Sequence, residues 1–388
     1  MKKQFASICF ELALCVCLMT SAKAEDTVRI AKPATYLIPI SLTGFTGEVL
    51  SVVKFDLEIL GMEATAPDKA EFIISGSNGA KLVGGVTDAS KNVLLAPKIY
   101  QGGSPRVLAH AFSEDVVKQL RPGLKGIFNG RIVYRVQEGR DFEIAVSDFD
   151  GHNAAVATHD ASLVNGPTWF PGGHKLLYAS WKNGPTQILE HDLTTGERKP
   201  FAKYPGANYS PSVSPDGRHA AMVLNKRGTS DLYVCGVDGS NLKQLTFTSD
   251  EESSPCWSPD SRTICFVARS GRAGLYKVNV DGGPVQKLSI RGAYGHITEP
   301  DWSPDGKTIV FTSNSGGFNL YSVSASGGDA ERLVEGEDGS WAPNSRTVIF
   351  TRRENGRRVL SLLDVPTKHF KNVPEKLSGS SSQPSWAR

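Results

Sequence analysis

The chain has 388 residues, of which 39% are hydrophobic and 21% charged, with a formal net charge of +3. A chain of that length and apolar content buries a sizeable core and exceeds one ordinary domain, which excludes a disordered protein. Residues 1–24 hold three Lys and one Glu, so the remainder carries +1, a balance that points to neither nucleic acid nor an anionic membrane surface.

The first element is a secretory signal. Lys2 and Lys3 precede an apolar stretch from Phe5 to Met19, and Ala22-Lys23-Ala24 is an A-x-A cleavage pattern before Glu25. No later run approaches the ~20 apolar residues of a membrane span, so the expectation is a protein free in an extracytoplasmic space. Glu25 to Lys32 then forms a short terminal segment of mixed character, with Val28 and Ile30 as apolar anchors around Arg29; unanchored termini of this kind are mobile and available for docking.

A small α/β domain follows, at residues 25–124. Tyr36-Leu37-Ile38-Pro39-Ile40 reads as a strand. From Thr46 to Leu60 the apolar residues Val49, Val52, Val53, Leu57 and Leu60 make one helix stripe, with Gly61 behind them as a stop. Strands are expected at Phe72 to Ser75, Lys81 to Thr87 and Val93 to Tyr100, then a second helix carrying Phe112, Val116 and Leu120 before Pro122.

From there to Arg388 the chain repeats itself. A Pro or small residue leads to an aromatic and then to Ser-Pro-Asp-Gly or a near copy, as in Pro255-Cys256-Trp257-Ser258-Pro259-Asp260-Ser261 and Pro300-Asp301-Trp302-Ser303-Pro304-Asp305-Gly306. From Trp169 the markers Val213, Trp257, Trp302, Trp341 and Trp386 follow at steps of 44, 44, 45, 39 and 45 residues. A period of roughly 40–45 residues with about four strands per unit is the signature of propeller blades. Pro-Asp-Gly and Asp-Gly-Gly supply the turn angles between antiparallel strands, and a Trp at one place per repeat suits the apolar gap between blades. Gln383-Pro384-Ser385-Trp386 is a first strand with no blade behind it, whereas Arg131 to Tyr134 and Phe142 to Gly151 form a blade lacking one. Joining them closes a ring without an exposed edge. The expected fold is an α+β N-terminal domain followed, at 125–388, by an all-β six-bladed β-propeller closed by the C-terminal strand.

Three of the six Cys lie in the leader, leaving Cys235, Cys256 and Cys265. An odd number argues against a full disulfide framework. Cys256 and Cys265 flank one hairpin turn and could face each other; the plainer reading makes them small buried hydrophobes.

Gly123-Leu124-Lys125-Gly126-Ile127-Phe128, Arg131-Ile132-Val133-Tyr134, Ser147-Asp148-Phe149-Asp150-Gly151, His110 and the start Val28-Arg29-Ile30, with the domain order and the signal, resemble the TolB family, periplasmic propeller proteins of the Tol-Pal envelope system. The N-terminal domain is shorter than usual there, and Val213 replaces an aromatic. The resemblance implies a non-catalytic, monomeric adaptor without cofactor or metal. It would bind the peptidoglycan-associated lipoprotein Pal over its channel mouth and the inner-membrane protein TolA through its N-terminus. It would reach the outer membrane through its partner and support constriction at cell division and envelope integrity.

The segments leading into each innermost strand should ring one mouth of the channel. They contain Glu251, Glu252, His296, Glu299, Glu337 and Asp338 and no Lys or Arg, so the expectation is an acidic mouth suited to a cationic partner segment or a divalent ion. Two other readings stay open: a propeller sensing peptides or sugars, and a remote propeller hydrolase. Against the second, the chain has no G-x-S-x-G elbow, its His residues lack metal-ligand spacing, and the repeated Asp marks turns.

Overall fold

A computed structural model of the chain describes residues 33–293 and 295–388. The expected signal at residues 1–24 and the docking residues Val28, Arg29 and Ile30 lie outside the described residues. Strand β1 (Ile38–Thr43) is followed by helix α1 (Gly47–Glu58), which returns the chain so that β2 (Met62–Ala64) pairs parallel beside β1. The three residues of β2 are too few to show alternation, and the sequence gives no sign of them. β3 (Phe72–Asn78) pairs parallel on the other side of β1, and β4 (Leu82–Asp88) and β5 (Val93–Tyr100) extend the sheet antiparallel, in the order β2-β1-β3-β4-β5. Val49, Val52, Val53 and Leu57 of α1 are buried as the stripe required. Gly61 has φ +79°, where a Cβ would run into the side chains of Arg346, Asp364 and Arg121. Helix α2 (Pro105–Leu120) starts with Pro at its first turn and with the Ser104 hydroxyl accepting from the Val107 N–H at 3.3 Å, and it buries Leu108, Phe112 and Val116.

The rest is a six-bladed propeller of four-stranded antiparallel sheets. Blade 2 runs from Val164 to Ala202, blade 3 from Asn208 to Gln244, blade 4 from Glu251 to Lys287, blade 5 from His296 to Glu335 and blade 6 from Glu337 to Asn372. Blade 1 is composite: its inner strand is Ser380–Trp386, paired antiparallel with Arg131–Glu138 from Ser380 opposite Gln137 to Trp386 opposite Ile132. The ring therefore closes on the C-terminal strand. The six inner strands lie side by side, each against the next, from Val164–Trp169 round to Ser380–Trp386.

The repeated Ser-Pro-Asp is a turn lock. Ser214, Ser258 and Ser303 donate to Asp216, Asp260 and Asp305 at 2.6, 2.5 and 2.6 Å, and each Asp also accepts a backbone N–H two residues on. The Ser258 hydroxyl and the Arg262 N–H hold the Asp260 carboxyl below its usual range. The blade Trp residues are buried; the Trp257 and Trp169 indole N–H groups donate to Ser212 O and Ser385 O of the preceding blade, each at 3.0 Å. Such a ring removes about 200 Å² from water, a gross gain of about 5 kcal/mol per Trp. Val213 stands in this position in blade 3 and is half-buried.

From Ala34 to Arg388 the chain is one compact unit. One apolar cluster runs from α1 and α2 through Ile127, Phe128 and Phe149 to Trp386 and Leu362. At its edge a buried polar cluster joins the helices to blade 1. His110 Nδ1 lies 2.8 Å from Asp56 Oδ2 and His110 Nε2 lies 3.5 Å from Asp150 Oδ2, while Arg106 contacts both Asp150 and Glu48. Burial would lower the His110 pKa, but hydrogen bonds to Asp150 and Asp56 and their charges raise it to about 9. Burial pushes Asp56 up to about 6. On blade 6, Arg346 pairs with Asp364 and donates to Ala34 O at 3.1 Å, while Arg121 donates to Gly61 O and Tyr36 O.

Candidate functional site

Each inner strand enters the ring with the same irregularity. Gly166, Ser210, Ser254, Glu299, Asp338 and Gln383 have φ between +47° and +58°, and each sits where the inner strand slips register against the next. Five of the six are not Gly, so the fold holds them left-handed against their own preference. The bulge turns these residues, and those two places on (Thr168, Ser212, Cys256, Asp301, Ser340 and Ser385), towards the axis. Together they line an axial cavity of about 540 Å³.

Three bulge side chains reach the next blade. The Asp338 N–H donates to Glu299 Oε2 at 3.3 Å, the Gln383 N–H to Asp338 Oδ2 at 3.0 Å and the Gly166 N–H to Gln383 Oε1 at 3.0 Å. One layer deeper the Trp341 N–H donates to Asp301 Oδ2 at 2.7 Å and the Trp386 N–H to Ser340 Oγ at 3.2 Å. Arg388 closes the far end, donating to Trp341 O at 3.1 Å and Trp302 O at 3.3 Å and pairing with Asp301.

The expected mouth residues divide into three groups. Glu299, Glu337 and Asp338 come together at blades 5 and 6. Burial pushes Glu299 well above the usual carboxylate range, and the Asp338 charge adds to this; burial and the Glu337 charge raise Asp338. Glu251 and His296 are exposed at the starts of the inner strands of blades 4 and 5. Glu252 is elsewhere. It stands two residues before the bulge, where other blades have Val164, Asn208 and Ile297, all buried. Its carboxylate accepts from the Thr246 and Thr248 hydroxyls at 3.1 and 2.9 Å, and burial raises its pKa to about 7. Adjacent residues of a strand face opposite ways, so Glu252 is removed from the mouth.

The mouth is also less acidic than the sequence suggests. Arg358 donates to Glu337 Oε1 at 2.8 Å, and Arg135 donates to Ser382 Oγ at 3.2 Å and to the Asn165 amide oxygen. The Arg135 guanidinium lies in the fields of Asp338, Glu337 and Glu299. Both arginines come from strands outside the innermost one, so inspecting only the segments that lead into the ring misses them. Among the described residues no three His, Cys, Asp or Glu side chains converge as metal ligands, and no helix is long and apolar enough to cross a membrane. The cavity lining contains Ser, Thr, Cys, Asp and Glu but no His.

A family model described as the TolB beta propeller domain matches residues 119–388. The Tol-Pal system protein TolB of Bordetella pertussis is 32% identical over 180 residues, 46% of this chain and 41% of that protein. The protein of the same name in Alcanivorax borkumensis is 27% identical over 249 residues, 54% of this chain and 57% of that protein. The chain thus spans about half the length of the curated relatives it matches. The crystal structure of TolB from Acinetobacter baumannii superposes with a TM-score of 0.80 at 21% identity, over 92% of this chain and 98% of that one, a likeness of fold.

Proposed function

Because the chain belongs to the TolB β-propeller family, we propose that it is a non-catalytic periplasmic adaptor of the Tol-Pal system. It is exported by residues 1–24 and organised as an α/β domain at 25–124 and a propeller at 125–388. It binds a Pal-like peptidoglycan-associated lipoprotein over the channel mouth and a TolA-like inner-membrane protein through Val28, Arg29 and Ile30. In that role it supports outer-membrane constriction at division and envelope integrity. The observation that carries the reading is the asymmetry of the propeller. Arg388 and the α/β region occupy the end of the inner strands away from the mouth, whereas Glu251 and His296 are exposed at the opposite end, at the starts of the inner strands of blades 4 and 5.

The test is capture of a purified Pal-like lipoprotein by the full chain. Replacing the exposed rim pair, Glu251→Gln with His296→Ala, should weaken capture about tenfold or more and leave the melting temperature within about 2 °C, since exposed side chains contribute little to stability. Unchanged affinity, together with unchanged affinity of Glu299→Gln, places the docking surface elsewhere. Removing residues 25–32 should abolish TolA-like binding and leave Pal-like binding intact; retained TolA-like binding excludes the terminal segment as the docking peptide.

A further inference from the structure

Cys256 and Cys265 stand directly opposite each other in the first hairpin of blade 4, and Lys277 stands opposite Cys265 on the following strand. Directly paired residues of an antiparallel ladder share a face, with Cα atoms about 4.5–5.5 Å apart, inside the window of about 4.4–6.8 Å that a disulfide tolerates. The row therefore runs thiol, thiol, ammonium across three strands. The two thiols are within hydrogen-bonding reach of each other, and both belong to the buried apolar cluster that includes Trp302 of blade 5. The Lys277 Nζ sits 4.7 Å from the centre of the Trp302 ring and donates to Ala325 O. Cys265 is fully buried and Cys256 is 6% exposed, and Cys256 forms part of the axial cavity wall.

We propose that Cys256 and Cys265 are a channel-facing dithiol that closes to a cross-strand disulfide with a small disulfide compound admitted by the axial cavity. The Cys256 sulfur, the reachable one, attacks one sulfur of R–S–S–R, giving Cys256–S–S–R and releasing one R–SH. The Cys265 sulfur then displaces the second R–SH. Two protons pass from the cysteines to the two R–SH molecules, and the two electrons from the thiols reduce the S–S bond of the oxidant. Burial, with the neighbouring Cys265 thiol, pushes the Cys256 thiol well above its usual range; the half-buried Lys277 ammonium, attracted by both sulfurs when charged, offsets part of that cost when a thiolate forms for attack. Cys235 belongs to blade 3, where its sulfur donates to Ala220 O at 3.7 Å, so the third thiol has no part in the reaction.

The experiment treats the folded, reduced chain from Glu25 to Arg388, which keeps only Cys235, Cys256 and Cys265, with 2-hydroxyethyl disulfide, quenches by alkylation in denaturant, and reads intact mass and a non-reduced peptide map. The expected product has lost the mass of two hydrogens, carries one alkyl group, on Cys235, and yields a peptide linking Cys256 to Cys265. Three alkyl groups on the treated protein overturn the proposal. So does a persistent mixed disulfide at Cys256, because it shows Cys265 out of reach. In Cys265→Ser the reaction should stop at that mixed disulfide; no adduct there removes Cys256 as the point of attack. Lys277→Gln should reach the same product several-fold more slowly, and an unchanged rate removes the ammonium from the reaction.

Discussion

A chain ended after Gly379 should melt at least about 10 °C below the full protein and aggregate on heating. The truncation removes the whole inner strand of blade 1, Ser380–Trp386, and with it the ladder to Arg131–Glu138. It also removes Trp386, 3% exposed and stacked with Phe149 at 6.5 Å. A buried Trp alone is worth about 3–5 kcal/mol on truncation, 1 kcal/mol corresponds to about 2 °C or somewhat less in a chain of this length, and the lost ladder adds to it. The strand Arg131–Glu138 would then present an unpaired edge, the usual route to association. Trp386→Ala in the full-length chain separates the two contributions: it should lower the midpoint without the aggregation. A truncated protein melting within a few degrees of the full one would mean that the ring does not depend on its closing strand.

His110→Gln should produce the second large effect, a loss of about 3–5 kcal/mol at neutral pH, because it leaves the buried Asp56 and Asp150 with one cation fewer. The pH dependence carries the signature. The folded protein holds the His110 proton up to about pH 9, against 6.5 for an unperturbed imidazole, so its contribution is complete below pH 6.5 and is lost as pH rises through 9. For a group this deeply buried the loss is about 2–3 kcal/mol. Asp56, raised to about 6, and Glu252, raised to about 7, act in the same direction: stability falls as pH rises through those values. Chemical denaturation between pH 5 and 9 should show a steady decline for the native chain. In the variant the decline above pH 6.5 should flatten; parallel curves would show that His110 is not the titrating group.

The propeller was legible because its repeat is written in residues that do mechanical work. Trp169, Trp257, Trp302, Trp341 and Trp386 fill the same gap in five blades, and the Asp of each Ser-Pro-Asp locks a turn. The composite first blade followed from an orphan strand at one end of the chain and a missing strand at the other. The mouth was less legible. Glu251 and Glu252 are consecutive, and only strand parity, fixed by the burial of Val164 and Ile297 at the equivalent position, tells which one is exposed. Arg135 and Arg358 neutralise carboxylates from strands that a search of the loops passes over. The left-handed residue before Pro167, Pro211, Pro255, Pro300 and Pro384 had a sequence mark, the Pro itself, but Ser210, Ser254 and Glu299 are not residues that announce a positive φ.

The hydrogen-bond chain from Glu299 through Asp338 and Gln383 to Gly166 fastens blades 5, 6, 1 and 2 to one another, while Ser210 and Ser254, with shorter side chains, make no such tie among the described bonds. The seam where the first and last strands meet, ordinarily the weak place in a closed ring, therefore lies inside the arc that this chain spans. On the opposite side, from blade 2 to blade 5, the bulges carry no such chain, and blades 2, 3 and 4 are joined instead by Asn208 Nδ2 to Thr186 O and by the Trp257 indole N–H to Ser212 O; the bonds from bulge to bulge around the axis therefore guard the closure of the ring.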